Sequence, residues 1–321
     1  MKLLVYGFGA IGLYFAYRFT EAGYAVTVVD PRRDSPAEGD VMVRFEDGLS
    51  GLEHGKSIRL LSELPPDEFF PLTVVTLPSH HVEEQLEHIA SIEQVRRLLL
   101  VGGYVSGMER WVKAVGEERT VFAYPGFSAY FEREEMRVVF CDREEGRGQR
   151  RGITVGTLSG KIPEGAGELC HVFTDSGIPV NRSDSIRAVF LSQAALRLPM
   201  TAALLFAGGS LDKLAVRGDL LKLMIQGIRE ALAAVRSAGY ELSPPSLSMY
   251  RYVPIFIIAN MMKGQFDSVS SRIGIEEAGL RAGGEPIALA RQFLDFAEQS
   301  AARDEHLRYL FSAYFDEEEP E

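Results

Sequence analysis

The stretch KLLVYGFGAIGLYFAYRF, residues Lys2 to Phe19, decides how the chain is read. Lys2 to Tyr6 is a short apolar run stopped by glycine, the pattern of a strand buried on both faces. Ala10 to Ala22 places Ile11, Tyr14, Phe15 and Phe19 at helical spacing and stops at Gly23, a residue suited to the left-handed turn after a helix. Between strand and helix lie Gly7, Gly9 and Gly12, the spacing G-x-G-x-x-G. In that setting the first glycine permits the tight turn, the second the close approach of a pyrophosphate, and the third the close packing of helix on strand. The start of the helix then offers unpaired N–H groups and its positive dipole end to the phosphates. Phe8, Ala10 and Ile11 complete the expected cradle.

Ala25 to Val29 is a second, β-branched strand, closed by Asp30-Pro31. Asp30 stands about 20 residues past the glycines, where an acid accepts hydrogen bonds from the ribose hydroxyls of NAD. Arg32 and Arg33 follow at once; they would hold the 2′-phosphate of NADP, or serve as a plain solvated turn. Position favours NAD, and composition leaves NADP open.

Further strands read at Val41 to Phe45, Ser57 to Leu61, Leu72 to Leu77 and Arg97 to Val101, with helices at His80 to Ile92 and Ser106 to Val115. Strand alternating with helix predicts a parallel, doubly wound α/β sheet of Rossmann type. Short strands follow at Val121 to Ala123, Val138 to Cys141 and Ile153 to Val155, the last two joined by DREEGRGQRR as a surface hairpin. A helix at Glu164 to Ser176 precedes a last strand near Pro179. After Ser183 helices dominate: Asp184 to Phe206, Gly218 to Ala238, Ser246 to Met262 and Glu285 to Arg303. The expected organisation is a dinucleotide-binding domain over 1–183, an all-helical domain for substrate and dimerisation over 184–315, and an acidic disordered tail, DEEEPE, over 316–321.

Bulk properties agree with two domains, because 321 residues exceed one ordinary hydrophobic core. Hydrophobic content of 46% and charged content of 25% are those of a soluble globular protein. A net charge of −11 argues against nucleic acid or an anionic membrane as partner. Cys141 and Cys170 form neither a disulfide framework nor a metal-binding spacing, as in a reducing cytosol. No apolar run of membrane-spanning length is free of charges and turn signals. The first residues enter a strand directly, leaving no room for a signal peptide. A cytoplasmic protein is the expectation.

One further stretch carries chemistry. SQAALRLPMT, Ser192 to Thr201, lies in a long apolar run yet spaces Gln193, Arg197 and Thr201 four residues apart, one stripe on one helix face. Such a stripe lines a ligand cleft or makes local hydrogen bonds and an ion pair. His80 and His81 follow the strand Leu72 to Leu77 at the edge where open α/β sheets bind ligands. They are either proton donors near neutral pH or surface histidines capping a helix. No Gly-x-Ser-x-Gly elbow is present.

The glycine turn, the helical second half and the run Ser185-Ile-Arg-Ala-Val-Phe-Leu-Ser-Gln193 that opens it together resemble the ketopantoate reductase family. The turn Gly102-Gly103 after the strand Arg97 to Val101 matches too, as do Ser270-Ser271 with Glu285 further on. The resemblance implies hydride transfer from NADPH to the carbonyl of a small 2-oxo acid, in a cleft between two domains. It implies a nicotinamide cofactor at Gly7 to Gly12, Asp30, Arg32 and Gly102, a small carboxylic acid substrate, and a homodimer as a candidate assembly. The departures fall on catalytic positions. The family's lysine and asparagine, four residues apart, correspond to Gln193 and Arg197; the asparagine of its Asn-Gly turn corresponds to Gly102, and the lysine ending the preceding strand to Pro78. The string Lys213-Leu-Ala-Val lies 20 residues past Gln193, in what reads as the next loop.

Reducing a carbonyl needs a donor at the developing alkoxide and a source of one proton. Gln193 donates a hydrogen bond but has no labile proton, and Arg197 does not readily release one. Arg197 suits a substrate carboxylate, or the alkoxide itself with Glu285 or water as proton source, and Thr201 stands beside it. The rival reading is an NAD(P)-binding sensor or partner-binding protein without catalysis.

Overall fold

The computed structural model describes residues 1–31, 39–64, 67–92, 95–161, 163 and 166–315. Arg32, Arg33 and the acidic tail lie outside the described residues. The chain forms two compact units: Met1–Gly102 with Gly107–Ile186, and Gly103–Ser106 with Arg187–Glu321.

The first unit is an α/β layer structure. Its strands are β1 (Lys2–Tyr6), β2 (Ala25–Val29), β3 (Gly39–Asp47), β4 (Leu52–Leu61), β5 (Phe70–Val75), β6 (Val95–Val101), β7 (Thr120–Pro125), β8 (Ser128–Glu132), β9 (Arg137–Cys141), β10 (Ile153–Gly156) and β11 (Val180–Arg182). Its helices are α1 (Ala10–Glu21), α2 (Ser79–Glu84), α3 (Leu86–Ser91), α4 (Met108–Val115) and α5 (Ala166–Asp175). The strands make one 11-stranded sheet in the order β11-β10-β7-β6-β5-β1-β2-β4-β3-β9-β8. From β7 to β4 all neighbours are parallel, the doubly wound core that alternating strands and helices predict. The flanks differ. The β3/β4, β8/β9 and β7/β10 pairs are antiparallel, so the sheet as a whole is mixed.

Burial explains the centre. Leu3, Leu4 and Val5 of β1 have no exposed surface, as a strand covered on both faces requires. Helix α1 lays Tyr14, Phe15 and Phe19 into an aromatic cluster with Phe127 and Phe173, where Phe15 meets Phe173 edge-on at 5.4 Å. At the flank, β3 and β4 run several residues past the apolar stretches that announced them. Their extensions carry Glu46, Asp47, Glu53 and His54, held by the hairpin ladder from Gly39↔Leu60 to Asp47↔Leu52. Strand β8, which has no clear alternation of its own, exists because β9 pairs with it from Ser128↔Cys141 to Glu132↔Arg137.

The second unit is helical: α6 (Ile186–Phe206), α7 (Leu211–Val216), α8 (Gly218–Ser237), α9 (Met249–Tyr252), α10 (Ile255–Phe266), α11 (Val269–Ser271), α12 (Ala278–Leu280), α13 (Glu285–Gln299) and α14 (Glu305–Phe315), with Arg272–Glu277 wound as a π-helix. The face of α8 formed by Leu221, Met224, Ile225, Ile228, Leu232 and Val235 is buried throughout. Gly227 on the same helix lets α14 approach, since a Cβ there would lie 2.5 Å from Leu310 Cδ1. The single helix expected over Ser246 to Met262 is interrupted: Val253 is extended ahead of Pro254, the conformation a following proline favours. Lys213, expected in a loop, lies on α7, which Ser210 caps by accepting from the Lys213 N–H.

Helix α6 is long and apolar enough to cross a membrane by length and composition, but 56% of its most apolar window is buried within the protein. Pro199 sits inside it and has no N–H for the carbonyl one turn back. At the adjacent carbonyl, Leu198 O accepts the Tyr314 hydroxyl at 2.6 Å, which ties α14 to α6 beside the proline.

A buried polar pair locks α1 to the sheet. The Tyr14 hydroxyl donates to Asp142 Oδ2 at 2.7 Å, and both side chains are buried. Burial and then the Asp142 charge push the Tyr14 hydroxyl well above its ordinary pKa, so it stays a donor. Arg143 and Arg150 stand further off, at 3.9 Å from the carboxylate. Tyr14→Phe is therefore expected to destabilise the protein by about 1–3 kcal/mol, the cost of leaving a buried charged acceptor short of a partner. Urea unfolding of the variant checks this, and an unchanged midpoint would show that the arginines compensate.

Candidate functional site

The glycine turn closes on the carboxyl ends of the central parallel strands. Gly7 takes φ +126°, where only glycine is at ease, and its N–H donates to Val29 O at 2.8 Å. A Cβ on Gly12 would lie 2.3 Å from Gly7 O and 2.6 Å from Thr76 Oγ1. Helix α1 thus starts with its backbone pressed against the turn, and the Thr76 hydroxyl donates to Gly7 O at 3.3 Å. Gly9 is the opposite case: a Cβ there meets nothing within 4 Å. Gly9 is also the N-cap of α1, and no side chain caps the helix or places an acid in its first turn. The helix start is therefore open on the Gly9 side and its first N–H groups have no capping side chain, the arrangement that accepts a phosphate.

Asp30 ends β2 beside this turn and is 1% exposed. Its backbone N–H donates to Leu61 O at 3.0 Å, and Arg133 Nη2 stands 3.5 Å from its Oδ2. Gly102 directly follows β6, two strands from β1, with its N–H on Ala123 O at 3.1 Å. Gly7, Phe8, Gly9, Ala10, Ile11, Gly12, Asp30 and Gly102 thus gather at one edge of the sheet. Sequence reasoning missed Thr76 and Arg133. A threonine at a strand end carries no distinguishing signal. Arg133 lies 103 residues from its partner, in the turn of a hairpin.

The histidines do not cap α2, which has Pro78 at its N-cap with no side-chain bond. His81 is the surface member and shares a 2.9 Å contact with Glu84. His80 is partly buried, with its ring 4.2 Å from that of His81. Burial first, and the neighbouring ring second, hold His80 below the ordinary histidine pKa, so it is neutral at pH 7.

In the helical unit, Gln193, Arg197 and Thr201 do form one stripe on α6, and each is engaged within that unit. Gln193 Nε2 donates to Ser243 O at 3.4 Å, and Arg197 Nη2 to Gly274 O at 3.1 Å in the π-helical stretch. The Thr201 methyl lies 3.3 Å from where a Cβ on Gly279 would stand. Arg197 remains exposed. Glu285 is the first residue of α13, and its charge, after burial, raises the hydroxyl pKa of the fully buried Tyr104. Tyr104 in turn packs edge-on against Phe190 of α6 at 5.4 Å.

Residues 3–132 match the model of the ketopantoate reductase family PanE/ApbA, which bears out the resemblance read from the glycine turn. No curated protein sequence matches the chain. Solved structures share the fold across its whole length. A 2-dehydropantoate 2-reductase from Geobacter metallireducens GS-15 superposes with a TM-score of 0.76 at 14% identity, covering 98% of this chain and 99% of that one. A D-mandelate dehydrogenase in complex with NADH gives 0.72 at 13% identity, covering 99% of each chain. A dimeric ketopantoate reductase from Staphylococcus aureus gives 0.71 at 11% identity, covering 99% of this chain and 100% of that one.

Two substitutions separate folding from ligand space at the turn. Gly12→Ala drives a methyl into a backbone oxygen and is expected to destabilise the first unit by about 3 kcal/mol or more. Gly9→Asp enters open space at an N-cap position that favours aspartate and is expected to leave stability unchanged or slightly raised. Thermal melts of both variants check the pair; equal losses would mean that the turn is packed all round.

Proposed function

We propose that this chain is a cytoplasmic NAD(P)-dependent oxidoreductase that transfers hydride between the nicotinamide and a small 2-oxo or 2-hydroxy acid. The observation that carries the reading is the open space at Gly9 over an uncapped α1, with Gly12 admitting no side chain at all. The residues fit a dinucleotide: the N–H groups of Ala10, Ile11 and Gly12 would hold its pyrophosphate, with Asp30 and Gly102 flanking. When bound, the nicotinamide supplies or accepts the hydride. In this reading the first unit holds the cofactor, and the helical unit contributes the substrate groups and the surface for a second copy.

The groups offered to the substrate are Arg197 and Gln193. An exposed guanidinium already oriented by Gly274 O suits a carboxylate, which it binds through paired N–H groups. Gln193 donates to an oxygen but cannot protonate it, so Glu285 is the proposed proton source and Thr201 a supporting hydroxyl. The family's own substrate, ketopantoate, is then a poor one, because Gln193 and Arg197 stand where the family has its lysine and asparagine, and loss of an acid from its place at the carbonyl costs about 10²–10⁴-fold in rate. A specific observation favours a second reading, dinucleotide binding without catalysis: Gln193 and Arg197 both donate to backbone carbonyls, as purely structural side chains would.

Titration with NADH and NADPH should show saturable binding that Gly9→Asp abolishes without unfolding the protein. Cofactor oxidation across a panel of 2-oxo acids separates the two readings: turnover of any member supports the enzyme, and binding with no turnover supports the second. Ketopantoate should be reduced slowly. Gln193→Lys alone should help little, since Arg197 one turn away repels an ammonium. Gln193→Lys with Arg197→Asn should exceed the product of the single effects, as neighbours in one site couple. Fast ketopantoate turnover by the unaltered protein would overturn the view that this face has changed chemistry.

A further inference from the structure

We infer that Arg133 is the residue that reads the cofactor's ribose, and that it selects NADPH over NADH; this rests on the dinucleotide reading of the glycine turn. Arg133 lies in the turn between β8 and β9, yet it touches both parts of the cradle. Its Nη2 is 3.5 Å from the Asp30 carboxylate at the end of β2, and its guanidinium carbon is 5.9 Å from the ring centroid of Phe8, inside the glycine turn. Phe8 is itself fixed, 2% exposed and edge-on to Phe131 of β8 at 5.5 Å. The guanidinium is thus set on an aromatic ring whose backbone belongs to the turn.

The two partners of the ion pair are not equally accessible. The Asp30 side chain is 1% exposed and that of Arg133 36%. The carboxylate that would accept from the 2′-hydroxyl of NADH is therefore buried, and the arginine beside it is the more exposed member of the pair. What β2 presents at its end is a cation. A guanidinium has five donors in a planar fork, and Asp30 takes one of those on Arg133. A fork with donors to offer, stacked on a ring and backed by a buried acid that fixes its orientation, matches a phosphate monoester. Asp30 and Phe8 are positioning residues in this arrangement, and Arg133 is the contact.

The test is the ratio of NADPH to NADH affinity in the full chain, measured by cofactor fluorescence titration. The unaltered protein should prefer NADPH. Arg133→Met, which keeps the side-chain stem over Phe8, should weaken NADPH by roughly 10–100-fold, the range for loss of a charge-assisted contact. NADH, which lacks the 2′-phosphate, should bind as before. Arg133→Lys should recover part of the NADPH affinity, and the recovered part should fall with added salt. Replacing Arg32 and Arg33 together with alanine should change the ratio less than Arg133→Met does. An unchanged ratio in Arg133→Met, or a larger loss from the Arg32 and Arg33 replacement, would overturn the inference while leaving the dinucleotide reading intact. Failure of the unaltered protein to bind either cofactor would remove that reading itself. Thermal melts identify a variant that fails only because it unfolds; Arg133→Lys, which keeps the ion pair with Asp30, then decides.

Discussion

Helix α1 comes so close to the strand it follows that its third residue can only be glycine. With 2.3 Å between a Cβ on Gly12 and Gly7 O, backbone lies against backbone, and the first unit is arranged around that contact. It directs the axis of α1 at the carboxyl ends of β1 and β2. It also sends Tyr14, Phe15 and Phe19 into the aromatic core beneath the sheet and leaves the Gly9 side open. A wider approach would admit a side chain at Gly12, while Gly7 would still need its positive φ and Gly9 already has room. The close packing of helix on turn thus rests on one distance, and Thr76 supports it by donating to the carbonyl that the helix approaches.

The parts of this arrangement set by neighbours in sequence were legible. Strand, turn and helix at the N-terminus, the apolar face of α8 and the stripe on α6 all follow from short-range periodicity, which local geometry enforces. What escaped was set by distant partners. Strand β8 has no alternation to announce it and exists through β9, and the ends of β3 and β4 are charged residues that only their hairpin ladder makes into strand. The break before Pro254 has a sequence cause, yet an apolar run masked it. Arg133 shows the same limit at the site. Asp30 was visible by its place after β2, but a partner from a hairpin turn a hundred residues later leaves no trace in spacing.

The stripe on α6 shows what a line of polar groups does in an apolar helix. Its periodicity is real, and its members lie on one face. Hydrogen bonds to Ser243 O and Gly274 O then fix two of them without consuming the exposure of Arg197. On the proposed reading, donors anchored by the backbone lose little side-chain freedom when a ligand arrives. The same anchoring limits how far these groups can reorganise around a ligand of another shape.

Pro199 and Tyr314 bear on how the helical unit comes into being. The proline weakens α6 at its middle, and the phenol from α14 ties down the carbonyl beside it, while Leu307, Leu310 and Phe311 fill the core against α8. A growing polypeptide that has not yet reached Tyr314 therefore holds α6 and α8 with an uncovered apolar flank. Until α14 docks, that flank is apolar surface open to chaperones and proteases.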